Sequence, residues 1–323
     1  MILRVTAHAR LHFGFLDLSA GHDGRQFGGM GLALTGPRYV LRIEKGPGLS
    51  VEGTHAERVE YLAARVHQAL ELKPHARITV EEAIPEHVGL GSGTQLALAL
   101  AAGIARQRGL DQPIAGLCAM MGRARRSGVG FHLFQRGGFV VEGGHPAAGG
   151  AGPSPRVPRS EAPPLLARHD FPEAWRIVVA LPSATRTMSG EAEEEAFRNL
   201  RPAADATVDR IARTVLTRLL PALVERDLET FGSALAQTQE WIGACFAAVQ
   251  EAEFHPGALH LARRLKEEKA CGVGQSSWGP AVYAFAPDAV EEARLLKIIA
   301  GADPGAAVLK VRGFNAGAAI ESL

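Results

Sequence analysis

The stretch Pro85–Leu100, PEHVGLGSGTQLALAL, decides how the rest of the chain is read. Gly89, Gly91 and Gly93 alternate with Leu90 and Ser92 and give way to an apolar run. A loop without β-carbons lets the main chain come close to a ligand. Ser92 or Thr94 can cap a helix there, and Leu96, Leu100 and Ile104 recur four residues apart along it. Arg106, Arg108 and Gly109 supply the cations and the glycine that suit a helix end. The free amides at such a helix start, with the positive end of the dipole behind them, form an anion site. The stretch therefore predicts a loop and helix that grip a phosphate.

On its N-terminal side, residues 2–7 and Tyr39–Lys45 alternate as strands, and Arg77–Glu82 does so again. Between them, Ala56–Leu70 places Val59, Leu62, Ala63, Val66 and Leu70 on one helical face. Gly21–Gly31, GHDGRQFGGMG, reads as a turn-rich segment that holds Arg25. After the loop, Asp111–Arg125 reads as a second helix. Its basic end, Arg123, Arg125 and Arg126, reads as cations answering the helix dipole. Gly138–Gly143 is strand-like, and Gly144–Asp170 is dense in proline, glycine and alanine. That long irregular connection predicts the domain boundary, giving domains 1–160 and 161–323. The second half opens with Trp175–Leu181, WRIVVAL, a continuous apolar run that suits a buried strand. A polar turn at Ser183–Ser189, several helices, the glycine-rich segment Gly272–Pro280 and further strands complete the pattern. The order predicts an α+β protein with an antiparallel sheet.

The 35 basic and 34 acidic residues nearly cancel, which argues against a broad nucleic-acid surface. Cys118, Cys245 and Cys271 are odd in number and far apart, so they predict neither a disulfide framework nor a metal cage. No run approaches the ~20 apolar residues of a membrane span. The opening MILRVTAHARLHF, broken by Arg4 and His8, does not read as a signal peptide. A cytoplasmic protein without membrane contacts is expected.

Three segments in register resemble the three motifs of the GHMP kinase superfamily: ARLHF at 9–13, IPEHVGLGSGTQ at 84–95 and GVGQSSWGP at 272–280. The resemblance spans nearly the whole chain. It implies a ribosomal S5-like N-terminal domain followed by a ferredoxin-like C-terminal domain. RLHFGFLDL, RQFGGMGLAL, RRSGVG, GGFVVEGGH and QSSWGP look more like one branch, the β-ribofuranosylaminobenzene 5′-phosphate synthases. That branch joins 4-aminobenzoate to phosphoribosyl pyrophosphate in tetrahydromethanopterin biosynthesis, with loss of carbon dioxide and pyrophosphate. Many kinases of the superfamily carry a proton-handling aspartate in an SGxD segment. Here Ser127-Gly128-Val129 leads to Gly130, which has no side chain to take a proton. An ATP-dependent small-molecule kinase is thus the alternative, and a non-catalytic binder of phosphate ligands a third.

The resemblance implies these roles. Gly89, Leu90, Gly91, Ser92, Gly93, Thr94 and Gln95 bind the pyrophosphate. A Mg²⁺ ion shares its charge and no organic cofactor is needed. Asp17 is the carboxylate near the ribose or the metal. Arg25 contacts a carboxylate or phosphate, a task for which its planar fork suits it better than lysine. His12 and Arg10 face the same cleft, Ser127 joins them, and Gln275, Ser276 and Ser277 supply donors from the second domain. A homodimer is also implied.

Overall fold

The computed structural model describes residues 1–19, 24–147, 162–183, 195, 197–200, 202–250 and 254–323. The polar turn expected at 183–189 lies outside them from residue 184 onward.

Two long strands dominate the N-terminal half. β1 (Leu3–Asp17) pairs antiparallel with β2 (Arg25–Glu44), from Leu3 opposite Ile43 to Asp17 opposite Phe27. The glycines expected to form a turn at 28–31 therefore lie in a strand. β3 (Leu49–Gly53) runs parallel to β4 (Ala76–Glu82), joined by α1 (Ala56–Ala69), and β4 continues the sheet on β2. α2 (Ser92–Gln107) lies over this sheet, buried along most of its length. It packs so closely that a β-carbon on Gly103 would sit 2.5 Å from Ile43 Cδ1. The helix expected at Asp111–Arg125 is shorter, α3 (Ile114–Met120), and a separate helix, α4 (Val129–Arg136), follows beyond it. β5 (Phe139–Glu142) and β6 (His145–Pro146) pair with β2. β7 (Leu165–His169) pairs with β5.

The second sheet contains β8 (Arg176–Leu181). The chain then forms α5 (Asp205–Thr214), a π-helical turn at Val215–Leu219, α6 (Leu220–Glu225) and the long α7 (Leu228–Gln250). α8 (Pro256–Glu267), β9 (Cys271–Gln275), β10 (Val282–Ala286), α9 (Ala289–Ala302), β11 (Ala307–Arg312) and β12 (Ala319–Ser322) follow. The strand order is β11-β8-β10-β9, antiparallel throughout.

The period of two in WRIVVAL shows how the layers join. Val178 and Ala180 face Leu261, Leu265, Leu295 and Ile299 of α8 and α9. Ile177 and Val179 face the other way, into a core shared with Phe13, Phe139, Phe171 and Phe231. One continuous core therefore runs beneath both sheets. Nor do the sheets divide at 160/161: β7 and β12, from beyond that point, both complete the first sheet, β12 by pairing with β1.

Candidate functional site

The loop before α2 meets two different neighbours. Gly89 and Gly91 both adopt left-handed backbone, with φ of 90° and 81°. A β-carbon on Gly89 would lie 2.2 Å from the Ser276 carbonyl oxygen, and one on Gly279 would lie 2.1 Å from the Gly89 nitrogen. The two glycine-rich segments thus interlock across the domains. Ser276 Oγ accepts the His12 amide at 3.0 Å and donates to the Gly89 carbonyl at 2.7 Å. The Ser277 amide donates to the His12 carbonyl at 3.0 Å. Arg10 lies along the loop, donating from Nη1 to the Gly89 carbonyl at 2.5 Å, with its stem where a β-carbon on Gly91 would be.

Two of the expected binding residues are engaged within the protein. Ser276 is wholly buried, with its hydroxyl engaged in the seam between the domains. The Leu90 side chain is buried and its carbonyl accepts the Arg10 amide. Gln275 is also held on all sides: its Oε1 accepts the His255 amide, its Nε2 donates to the Ser277 carbonyl, and its own amide donates to Gln239. It nonetheless lines the pocket described below.

The other end of the loop stays open. Gly91 is the N-cap of α2, with no side-chain cap and no acidic residue in the first turn. The amides of Ser92 and Gly93 therefore precede the helix's own carbonyl acceptors. Gln95 Nε2 donates to the Gly130 carbonyl at 2.9 Å, and Thr94 packs against Gly130, so the starts of α2 and α4 meet.

Beside them runs a directed hydrogen-bond chain. His12 Nδ1 accepts the Gly14 amide at 3.0 Å, so the ring proton sits on Nε2, which donates to Ser127 Oγ at 2.9 Å. Ser127 Oγ also accepts the Val129 amide at 3.2 Å and passes its own proton toward Glu142. Burial, reinforced by Arg10, pushes His12 down to about 3, so the ring is neutral at neutral pH. Glu142 is fully enclosed and accepts the amides of Gly128 at 3.1 Å and Gly144 at 2.7 Å. Burial raises its carboxyl to about 7, against the pull of those amides, Ser127 and Arg25.

Arg25 reaches this chain from outside. It donates from Nε to the Gly143 carbonyl at 2.7 Å and from Nη2 to the Gly144 carbonyl at 2.6 Å. Its fork therefore supports the turn that holds Glu142. Asp17 closes β1, half-buried, and Oδ1 accepts the Ser19 amide at 2.7 Å. Among the described residues no group of three or more His, Cys, Asp or Glu side chains stands together as a metal cage. Asp17 offers one carboxylate, which suits a Mg²⁺ ion held chiefly by substrate phosphates.

A pocket opens next to His12, between β1 and α7. Phe15, Ile242, Phe246, Phe254 and Trp278 give it an apolar wall, and His12, Gln239, Gln275 and Ser277 give it polar atoms. Phe246 and Trp278 meet edge to face, 4.7 Å between ring centroids. Such a wall suits a flat ring.

Sequence reasoning missed Glu142, and it misread Arg123. α3 ends at Met120, and Gly122 turns the chain in left-handed backbone. Arg123 consequently leaves the helix axis and points at the start of α2. There its Nη1 lies 3.5 Å, and Arg58 Nη2 3.1 Å, from where a β-carbon on Gly93 would be.

This geometry has relatives. The model for the GHMP kinases N-terminal domain matches residues 57–134, and that for the GHMP kinases C-terminal region matches 219–300. Solved structures share the architecture: a Leishmania major mevalonate kinase has a TM-score of 0.70 at 11% identity, covering 97% of this chain and 96% of its own. A Listeria monocytogenes homoserine kinase has 0.66 at 17%, covering 99% and 100%. Two curated relatives are nearer in sequence, both named beta-ribofuranosylphenol 5′-phosphate synthase. The one from Methanothermobacter thermautotrophicus is 35% identical over 87% of this chain and 88% of its own. The one from Archaeoglobus fulgidus is 35% identical over 88% of each. The chain belongs to the GHMP kinase superfamily and, within it, to the family of these synthases. It is accordingly an enzyme, related to proteins named as synthases.

Proposed function

We propose that this enzyme joins phosphoribosyl pyrophosphate to a para-substituted benzoate, releasing pyrophosphate and carbon dioxide. The acceptor is 4-aminobenzoate or its hydroxyl counterpart; the relatives' name describes a ribosylated phenol. The observation that carries the reading is Gly130. The start of α2 keeps its open amides, while the neighbouring position offers no carboxylate to deprotonate an alcohol. A donor that brings its own leaving diphosphate needs the first and not the second.

The ring carbon that bears the carboxylate attacks the anomeric carbon, and pyrophosphate leaves with the electron pair of the broken C–O bond. The bond to the carboxylate carbon then breaks, and its pair restores the aromatic ring. No base is required for that step. The loop amides, with Ser92 and Thr94, hold the departing negative charge, the largest contribution expected in such a site. Asp17 faces the positive charge that grows on the ribose and would be the protein's ligand to Mg²⁺, an ion that neutralises diphosphate charge when bound. The apolar pocket beside His12 aligns the ring. Neutral His12, fixed by Ser127 and Glu142, donates no charge to the seam, and Arg25 braces it. A cytoplasmic homodimer completes the reading.

The test is incubation of the purified chain with phosphoribosyl pyrophosphate, Mg²⁺ and either 4-aminobenzoate or 4-hydroxybenzoate. Equal release of carbon dioxide and pyrophosphate is expected, and the faster acid identifies the acceptor. Consumption of ATP on a small alcohol, with neither gas nor pyrophosphate released from the pair, would install the kinase reading instead.

A further inference from the structure

Two guanidinium groups converge on Gly93, at the uncapped start of α2. Arg58 is tied to Glu86, whose carboxylate also meets His55 Nδ1 at 3.4 Å. Among the described residues Arg123 pairs with no carboxylate. Its Nε is shut away from solvent without a hydrogen-bond acceptor. Burial lowers its proton affinity, and the like charges of Arg58, Arg65 and Arg125 lower it further. The remaining neighbour, Cys118, is a thiol that burial holds neutral, pushed up to about 12. The guanidinium groups of Arg58 and Arg123 thus meet where helix amides also face out, with Arg65 and Arg125 near enough to act on Arg123. Buried charges in folded proteins are ordinarily paired, because an unpaired one is costly. A planar fork is the donor best matched to phosphate oxygens.

We propose that Arg58 and Arg123 form, with the first amides of α2, the subsite for a phosphoryl group of at least two negative charges. Its identification with one end of the ribosyl donor rests on the function proposed above. Both the diphosphate and the 5-phosphate of that donor have this chemistry, and the arms of the test separate them.

The experiment is calorimetric titration of the full chain with inorganic pyrophosphate and, separately, with ribose 5-phosphate. Arg123→Gln should weaken one of the two by at least about thirtyfold and Arg58→Gln by about tenfold, as expected for charged hydrogen-bond donors. Arg123→Lys, which keeps charge but loses the fork, should fall between. Gly93→Ala, which crowds Arg58, should weaken the same ligand, and Arg264→Gln, at an exposed pair with Glu268 on α8 against the second sheet, should change neither. Without ligand, Arg123→Gln should melt no lower than the parent, because it removes a repelled charge. A merely structural arginine would lower the melting temperature. Affinities for both ligands within twofold of the parent in Arg123→Gln and Arg58→Gln overturn the proposal. So does pyrophosphate bound no more tightly than sulfate by the parent, if ribose 5-phosphate does no better. Arginine-dependent binding without any turnover would leave the subsite standing and remove the synthase chemistry. Turnover with arginine-independent binding would do the reverse.

Discussion

The two flanks of the glycine loop use the same residue for opposite ends. At Gly89 the missing side chain admits another part of the protein, and main chain meets main chain across the domains. At Gly93 the guanidinium groups of Arg58 and Arg123 supply the atoms nearest to where a side chain would begin. One flank is sealed by hydrogen bonds to Ser276, and the other begins a helix whose first amides no side chain caps. A glycine-rich motif is therefore not one feature. Its value as a ligand signal depends on which glycine is asked.

The sharpest break in that comparison is Gly89→Ala. The new methyl must displace the Ser276 carbonyl and adopt strained left-handed backbone. We expect destabilisation of about 3 kcal/mol or more, read by urea unfolding. Gly93→Ala on the other flank should stay within about 0.5 kcal/mol of the parent in the same experiment. Equal losses would show that the flanks do not differ. Next in size, Asp17→Asn should lower turnover by about a hundredfold or more while the unfolding midpoint stays put. Full activity would remove Asp17 from the mechanism.

Glu142 tests the chain that lies behind the loop. Between the ordinary carboxyl value of 4.5 and about 7, the folded protein keeps a proton that the unfolded chain has released. The contribution of Glu142 to stability therefore falls as pH rises through that window, by about 3 kcal/mol in all. His12 acts oppositely. Its folded value lies near 3 against 6.5, so its contribution is present above 6.5 and is lost as pH falls toward 3. The two largely cancel between 4.5 and 6.5. Glu142→Gln should unmask the rising limb, so that the variant gains on the parent with pH, measured by unfolding at pH 5, 6 and 7. A constant difference would mean that Glu142 titrates normally. The smallest effect is Gln95→Ala, which frees the Gly130 carbonyl and should cost about 1 kcal/mol.

Much of the fold was legible. The alternation in WRIVVAL and the repeats of α1 and α2 each report which face is buried, and that is a local property. The three motif segments do meet at one seam, where His12, Gly89 and Ser276 touch. What escaped depends on distant partners. RQFGGMG contains the residues of turns, yet it is a strand whose glycines let Leu11 and Val129 come close. Glu142 ends a short apolar run like any solvated residue, and its burial arises from amides that α4 and the β5–β6 turn deliver. Arg123 follows an apparent helix, and the bend at Gly122 that redirects it leaves no periodic trace. Ser276 lies in the expected motif, and its hydroxyl is engaged between Gly89 and His12, a pairing the sequence does not show.

The pairing of β12 with β1 also sets an order of events. Leu3–Thr6 pair with Val40–Ile43 early in the chain, but their second partners are Ala319–Ser322, so the ribosome must deliver nearly everything between before that side of β1 is covered. An unfinished edge invites pairing with other chains. One side of β1 thus stays unpaired until the last residues of the chain have been made.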